Sequence, residues 1–468
     1  MARALIERAL EQARIDPTRT AVRSAAGDRM RTRADVITEA RRLAAELDRT
    51  TEAGATILVQ GPSGAGFHAA VLAIWGSGRR ALPIGPLNEA DVLGLINAHR
   101  PGARIVTEAG HEPTGRSDLP ILEASFEPSE RLGTLDRGEH ASLLLQSSGT
   151  IGRPRVSLRE AQAIDRVAAT LHATIGLTEE DRVLSALPMH HAYGIEHAVM
   201  LPILAGSEVI QMPKLEIDVA TERLVSDATV LPAVPPTIDA LASSPVPSTS
   251  LRLAYTAGSP LPVATRERFE SVWGVKVGDL YGASEVGTIT WGFDGRTTPV
   301  RGVDVQLADD GELMVRSDAM FVGYLDDSET APCRERIAEG WFLTGDLARI
   351  EEDGTVELIG RARLQFDVGG LKVNPNDVED VLREHPAVVE VMVSPLPLSE
   401  TVNRVQARIV TRPDHEGDEA AFLESLRKHA RAHLPPHQVP RRIEIVDALP
   451  RTPSGKLIRS QAPVDQPA

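Results

Sequence analysis

The sequence predicts an α/β protein. A large N-terminal domain of helix-covered sheets with a small β-barrel-like part is followed by a small α+β C-terminal domain. Three observations carry this. Short apolar strands alternate with helical stretches through the first half, the pattern of parallel sheets covered by helices. After Gly295 the strands alternate apolar and polar residues across acidic-Gly turns, the pattern of antiparallel pairing. From Gly360-Arg361 onward the chain becomes a compact α+β segment, and 468 residues are more than one hydrophobic core supports. The division is therefore expected at residues 1–360 and 361–468.

Met1 to Thr20 reads as an amphipathic helix, with Ile6, Leu10 and Ile15 among Glu7, Arg8 and Glu11. It lacks the apolar run of a secretion signal. Ala34–Leu47 is helical, with Val36, Ala40, Leu43 and Leu47 on one face. Ala55–Gln60 is a buried strand, Phe67–Gly76 a helix and Arg80–Ile84 a strand. Further strands fall at Arg182–Leu187, Glu208–Met212, Ala228–Pro232 and Leu251–Ala257. The antiparallel set comprises Arg301–Leu307, Gly311–Val315 and Thr355–Ile359. The final segment holds helices Pro375–Glu384 and Asp418–His433, with strands Val388–Ser394, Val405–Val410 and Arg442–Asp447.

The formal charge of −16 argues against a nucleic-acid or anionic-membrane partner, either of which needs a basic face. The apolar stretch Ala198–Gly206 is too short to span a bilayer. Cys333 is the single cysteine, which excludes an internal disulfide and fits the cytoplasm. Lysine is scarce: Lys214, Lys276, Lys372, Lys428 and Lys456 are the only ones among 50 Lys and Arg.

Five segments carry chemistry. The strand Leu143-Leu144-Leu145 runs into Gln146-Ser147-Ser148-Gly149-Thr150-Ile151-Gly152-Arg153-Pro154-Arg155. Glycines that turn N–H groups inward, hydroxyls and two arginines suit a polyphosphate, although a plain turn would read the same way. In Leu280-Tyr281-Gly282-Ala283-Ser284-Glu285 the ring can stack on a purine and the carboxylate can hold Mg²⁺, or the segment is a capped turn. In Gly340–Asp346 a carboxylate follows a glycine and can accept two ribose hydroxyls. Gly360-Arg361 precedes Val368-Gly369-Gly370-Leu371-Lys372-Val373-Asn374-Pro375. Last, Pro450–Arg459 presents Lys456 between Gly455 and Leu457.

Together, in this order and spacing, the five resemble the superfamily of adenylate-forming enzymes: acyl-CoA synthetases, nonribosomal-peptide adenylation domains and luciferases. The resemblance implies a mobile C-terminal lid, ATP and Mg²⁺ as cofactors, and CoA or a phosphopantetheine arm as acceptor. It assigns Ser147, Ser148, Gly149, Thr150, Gly152 and Arg155 to the phosphates, with Thr150 and Glu285 at the metal. Tyr281 falls to adenine, Asp346 to ribose, Arg361 to the nucleotide, and Gly369 and Gly370 to the pantetheine tunnel. Lys456 is then the lysine that stabilises the adenylation transition state, and the scarcity of lysine gives this residue weight. Pro188-Met189-His190-His191-Ala192-Tyr193-Gly194 resembles the acyl-pocket segment, with His191, Tyr193 and Gly194 lining it and Ala257 and Gly258 opposite. Gly61-Pro62-Ser63-Gly64-Ala65-Gly66 falls where the family has only a strand-to-helix turn.

The chain departs from the family at Arg155-Val156, where Lys-Gly is usual, and at Arg363 and Leu364, where the hinge is usually acidic. Glu196 is the only acidic residue near the place where amino-acid-activating relatives hold one, which favours aryl or acyl acids. The activity implied is formation of acyl-AMP from a carboxylic acid, then transfer to CoA or to a carrier protein's pantetheine. Two alternatives stand beside it: transfer to an amine, motivated by the hinge, and a non-catalytic acyl- or nucleotide-binding relative.

Overall fold

The computed structural model describes residues 2–85, 87, 89–108, 118–146, 155–243, 248–325, 336–361, 366–368, 371–399, 402–412, 419–451 and 457. The chain forms two compact units. The first comprises residues 1–148, 154–305 and 315–342; the second, 149–153, 306–314 and 343–468. The Gly360 position lies inside the second unit, on the strand Val356–Arg361 that pairs with Trp341–Ile350.

The first unit holds two sheets. One runs in the order Gly323–Leu325, Val156–Glu160, Ser142–Gln146, Arg80–Ile84, Thr56–Gln60, Ala103–Val106, Ile121–Glu123, and its strands from Ser142–Gln146 onward are parallel. The other contains Val277–Ala283, Leu253–Thr256, Val230–Ala233, Arg182–Ser185, Glu208–Gln211 and Thr20–Ser24, also parallel. Antiparallel pairing begins earlier than Gly295: Gly287–Phe293 folds straight back on Val277–Ala283.

Alternation explains why these strands read as unbroken apolar runs. Ile57 and Val59 enter one core cluster and Leu58 another; Leu143 and Leu145 are split from Leu144 in the same way. Both faces are covered, so every position is apolar. Helix Ala65–Gly76 is buried on nearly all sides because it packs on strands of both sheets, and a helix apolar all round belongs in such a place. Helix Ala161–Ile175 packs on both sheets too. Helix Arg33–Thr50 opens with a reciprocal cap between Thr32 and Asp35 and buries the expected Val36, Ala40, Leu43 and Leu47. In the N-terminal helix, Arg3–Ile15, the buried face is Leu5, Ile6, Ala9 and Gln12. Ile15, expected on that face, is 64% exposed and is the last residue of the helix.

In the second unit a three-stranded sheet of Val388–Ser399, Val402–Thr411 and Arg442–Ile445 is covered by helices Pro375–Arg383 and Glu419–His433. Val378, Leu382, Val391, Ala407, Phe422 and Leu426 form its core. Among the described residues no helix is long and apolar enough to cross a membrane.

Candidate active site

Parallel strands aim their carboxyl ends the same way, and the loops that leave those ends are where α/β sheets bind ligands. In the first unit Gly61, Gly85 and Gln146 follow or end strands of the first sheet; Ala233, Ala257 and Ala283 follow or end strands of the second. Ala257 and Gly258 leave the strand Leu253–Thr256, Glu285 follows Val277–Ala283, which itself contains Tyr281, and His191, Tyr193 and Gly194 come after Arg182–Ser185 at or within the short helix Ala192–Ile195.

Gly61 and Gly66, which give the turn after Gln60 its nucleotide-loop look, are explained by packing. A Cβ on Gly61 would lie 2.4 Å from Thr107 Oγ1, and one on Gly66 would lie 1.9 Å from the Thr107 carbonyl. Ser63 Oγ accepts from the Met189 N–H at 3.0 Å, which docks the Pro188–His191 segment on this edge. A Cβ on Gly85 would meet His190 Nε2 at 2.4 Å. His190 and His191 lie with ring centroids 4.3 Å apart. Burial, and then its neighbour His191, lowers the His190 pKa to about 3, so its ring is neutral.

Tyr193 and Ala257 meet at one atom. The Tyr193 hydroxyl donates to the Ala233 carbonyl at 3.0 Å, and the Ala257 N–H donates to the same oxygen at 3.3 Å. Gly258, at φ +93°, has open space where its Cβ would be. Gly194 differs: a Cβ there would sit 2.0 Å from the Pro188 carbonyl oxygen. Its missing side chain makes room for the protein's own backbone.

Glu285 sits at the turn between Val277–Ala283 and Gly287–Phe293. Gly282 allows that turn, since a Cβ would lie 2.5 Å from the Gly287 carbonyl oxygen. The Glu285 carboxylate is 9% exposed and accepts from the Tyr324 hydroxyl at 2.8 Å. Burial, and then the Glu285 charge, pushes the Tyr324 pKa up, so its proton stays on. The Arg155 guanidinium lies 5.2 Å from the Tyr324 ring centroid. The last arginine of the expected phosphate segment and the expected metal carboxylate thus meet across one tyrosine. Val156, which replaces the usual glycine, is buried and starts the next strand.

Arg159 braces this turn, and sequence reasoning did not single it out. Fully buried, it donates to the Ser284 carbonyl at 2.9 Å and the Ala283 carbonyl at 3.2 Å. It also pairs with Glu196 at 2.6 Å. Its partners lie far away in sequence, so no local signal marks it. Glu196 is buried in that pair. Tyr324 was missed for the same reason.

In the second unit Asp346 and Arg361 stand opposite each other in the pairing of Trp341–Ile350 with Val356–Arg361. Glu312, also unanticipated, accepts from the Gly345 N–H at 2.6 Å and fixes the turn before Asp346. Asn374 ties the fourth motif together. Its Nδ2 donates to the Ile359 carbonyl at 3.0 Å and its Oδ1 caps the next helix. Arg451 bridges to Leu457 and pairs with Glu390 at 2.8 Å. Ser147, Ser148, Gly149, Thr150, Gly152, Gly369, Gly370, Lys456, Cys333, Arg363 and Leu364 lie outside the described residues, and of Arg361 only the backbone is described.

Loops at the carboxyl edge of two parallel sheets, a buried carboxylate on a hairpin turn and a second α+β unit agree with the class that the family comparison gives. Residues 10–325 match the AMP-binding enzyme family and residues 377–456 match the AMP-binding enzyme C-terminal domain; the chain belongs to this family, within the superfamily of adenylate-forming enzymes. It is similar to the 3-[(3aS,4S,7aS)-7a-methyl-1,5-dioxo-octahydro-1H-inden-4-yl]propanoyl:CoA ligase of Mycobacterium tuberculosis, at 30% identity over 343 residues, 69% of this chain and 66% of that protein. It is similar also to the 4-hydroxybenzoate–CoA/benzoate–CoA ligase of Rhodopseudomonas palustris, at 31% identity over 67% of this chain and 62% of that protein. The matches thus span just under two thirds of these relatives. ATP-bound MatB from Rhodopseudomonas palustris superposes with a TM-score of 0.85 at 25% identity, covering 96% of this chain and 97% of MatB.

Proposed function

We propose that this protein joins a carboxylic acid to a thiol at the expense of ATP. The acid's carboxylate oxygen attacks the α-phosphorus, the bond to pyrophosphate breaks, and acyl-AMP forms. A thiolate then attacks the acyl carbon and AMP leaves. The observation that carries this reading is the buried Glu285 carboxylate, held by Tyr324 on a turn that Arg159 braces, in a chain of the AMP-binding enzyme family.

Adenylation needs little covalent chemistry from the protein; it needs position and charge. Mg²⁺ would supply positive charge to neutralise the polyphosphate. Such a cation takes one or two carboxylates and draws its other ligands from phosphate and water. A single buried carboxylate at Glu285, with the Thr150 hydroxyl, fits that need. Arg155 and the Ser147–Gly152 segment take the phosphates, Tyr281 the adenine and Asp346 the ribose, with Arg361 opposite Asp346 beside the nucleotide. Lys456 stabilises charge at the α-phosphate. His191, Tyr193, Ala257 and Gly258 border the acid, and Gly194 shapes the segment that carries His191 and Tyr193. With Glu196 committed to Arg159, an aryl or acyl acid is the better fit.

The named relatives are CoA ligases, which supports CoA as the thiol, with Gly369 and Gly370 leaving room for its arm. A carrier-protein pantetheine is the other source of that thiol. In this reading residues 361–468 act as the lid and Arg363 stands at its pivot. The single cysteine supports a reducing compartment, the cytoplasm.

The test is acid-dependent pyrophosphate release with Mg-ATP over an aryl and acyl panel, with and without CoA. Release with one acid class that rises with CoA, together with thioester, is expected. Amide without thioester would move the acceptor to an amine, and no release with any acid would overturn the reading. A narrower prediction concerns Tyr324→Phe, which keeps the ring and deletes one hydrogen bond to a charged group. The KM for Mg-ATP is expected to rise about tenfold, equal to about 1.4 kcal/mol, with the melting temperature little changed. Steady-state kinetics at varied Mg-ATP reads this directly.

A further inference from the structure

Away from the carboxyl-end loops, a cavity of about 50 Å³ lies between the helices Arg3–Ile15 and Arg33–Thr50 and the strands Thr20–Ser24 and Glu208–Gln211. It is partly open to solvent. Gly206 and Ser207 line it and lead into Glu208–Gln211, so it stands at the amino end of that strand, opposite the edge that carries the candidate site. Ala9, Val22, Val36 and Leu72 give it apolar walls. Its polar edge is Gln12, Arg33 and Ser207, which are 7%, 7% and 6% exposed.

These three side chains come together at one turn. Arg33 Nη2 donates to the Gly206 carbonyl at 2.7 Å. A Cβ on Gly206 would lie 2.9 Å from Gln12 Nε2 and 3.2 Å from Arg33 Nη2, so amide and guanidinium converge on one backbone position, and Ser207 is the next residue. Among the described residues, Gln12 Nε2 and the Ser207 hydroxyl are buried without a hydrogen-bond partner.

The guanidinium also lacks a counter-charge. Among the described residues no carboxylate forms an ion pair with Arg33. Asp16 and Glu179 act on it from a distance, against Arg8 and Arg19. Both acids are engaged with Arg19: Asp16 accepts from its N–H at 3.1 Å, and Glu179 lies 3.8 Å from its guanidinium. Burial, and then Arg19, holds the Arg33 pKa below its ordinary value. A buried cation without a partner is costly, and a bound anion removes that cost.

We propose that this cavity is a binding site for a short aliphatic carboxylate such as propionate, held by Arg33 with Gln12 and Ser207. An ionised carboxylate only accepts hydrogen bonds, and guanidinium, amide and hydroxyl all donate. The bond from the guanidinium is charge-assisted. The apolar walls take the alkyl chain, and the volume holds several water-sized groups, which suits a small acid. The site is separate from the one that would activate an acid, and it does not depend on the adenylation reading.

Thermal melts of the full-length protein test it, in sodium propionate against sodium chloride and sodium phosphate at equal ionic strength and pH. Propionate should raise the melting temperature saturably, by about 2 °C at tenfold its dissociation constant, and neither chloride nor phosphate should match it. Arg33→Met keeps the stem and removes the charge. Ala21→Leu fills the apolar side of the cavity, which Ala21 lines, and leaves the charge. Each should abolish the propionate increment. One result from two opposite changes separates lost binding from a damaged fold, and if Arg33→Met does not fold, Ala21→Leu decides alone. An increment that survives in either variant places the propionate elsewhere, the acid site included, and overturns the proposal. So does a wild type with no increment, or one that chloride or phosphate equals.

Discussion

Lys456→Ala is expected to slow acid-dependent pyrophosphate release by about 10²–10³-fold, the usual cost of deleting one preorganised charge donor at a transition state. The melting temperature should not move. Arg451 and Leu457, on either side of Lys456 in the chain, bridge to each other, and Arg451 pairs with Glu390. Neither contact is made by a lysine, so the substitution is expected to remove charge without loosening them. Lys456→Arg should recover only part of the rate, because a planar guanidinium is broader than a point-like ammonium. The chain uses arginine at nine of every ten basic positions, so retention of lysine here is itself an argument for that difference. Thioester formation from preformed acyl-AMP should stay near wild type. If both half-reactions fell together, Lys456 would be acting on the fold of the loop rather than on adenylation.

Arg159→Met should produce the largest loss of stability, about 3–5 kcal/mol, the range seen when one partner of a buried ion pair is removed. The variant strands the Glu196 carboxylate in the core and strips the Ser284 and Ala283 carbonyls of their donor. The effect has a pH signature. Burial already holds the Glu196 pKa above its ordinary value, against the pull of Arg159, and losing Arg159 raises it further. A carboxyl whose folded pKa is raised binds its proton more tightly in the native state, so stability falls as pH rises from the unfolded pKa through the folded one. The Arg159→Met penalty is therefore greatest near pH 8 and shrinks toward pH 4. Denaturant melts across that range measure it, and a pH-independent penalty would refute the assignment. Adding Glu196→Leu should restore much of the stability, since apolar replacement of a whole buried pair is often neutral. It should not restore adenylation, because the turn that carries Glu285 would still lack its brace.

The parallel strands, the long helices and the order of the five motifs were legible in the residues. Apolar runs, periodicity and glycine turns are local quantities, and Arg80–Ile84 or the Val36–Leu47 face could be read from them alone. Family membership followed from motif order and is matched by residues 10–325 and 377–456. Tertiary structure decided the rest, because the deciding contacts join residues far apart in the chain. Only the fold could reveal that Arg159 holds the Glu285 turn, that Tyr324 supplies the Glu285 hydrogen bond, or that Glu196 is spent on an ion pair. It also separated two kinds of glycine that look alike in sequence: Gly258 faces open space, whereas Gly61, Gly66 and Gly194 face the protein's own atoms. A sequence states which residue lacks a side chain; what fills the space depends on strands and turns that meet only after folding.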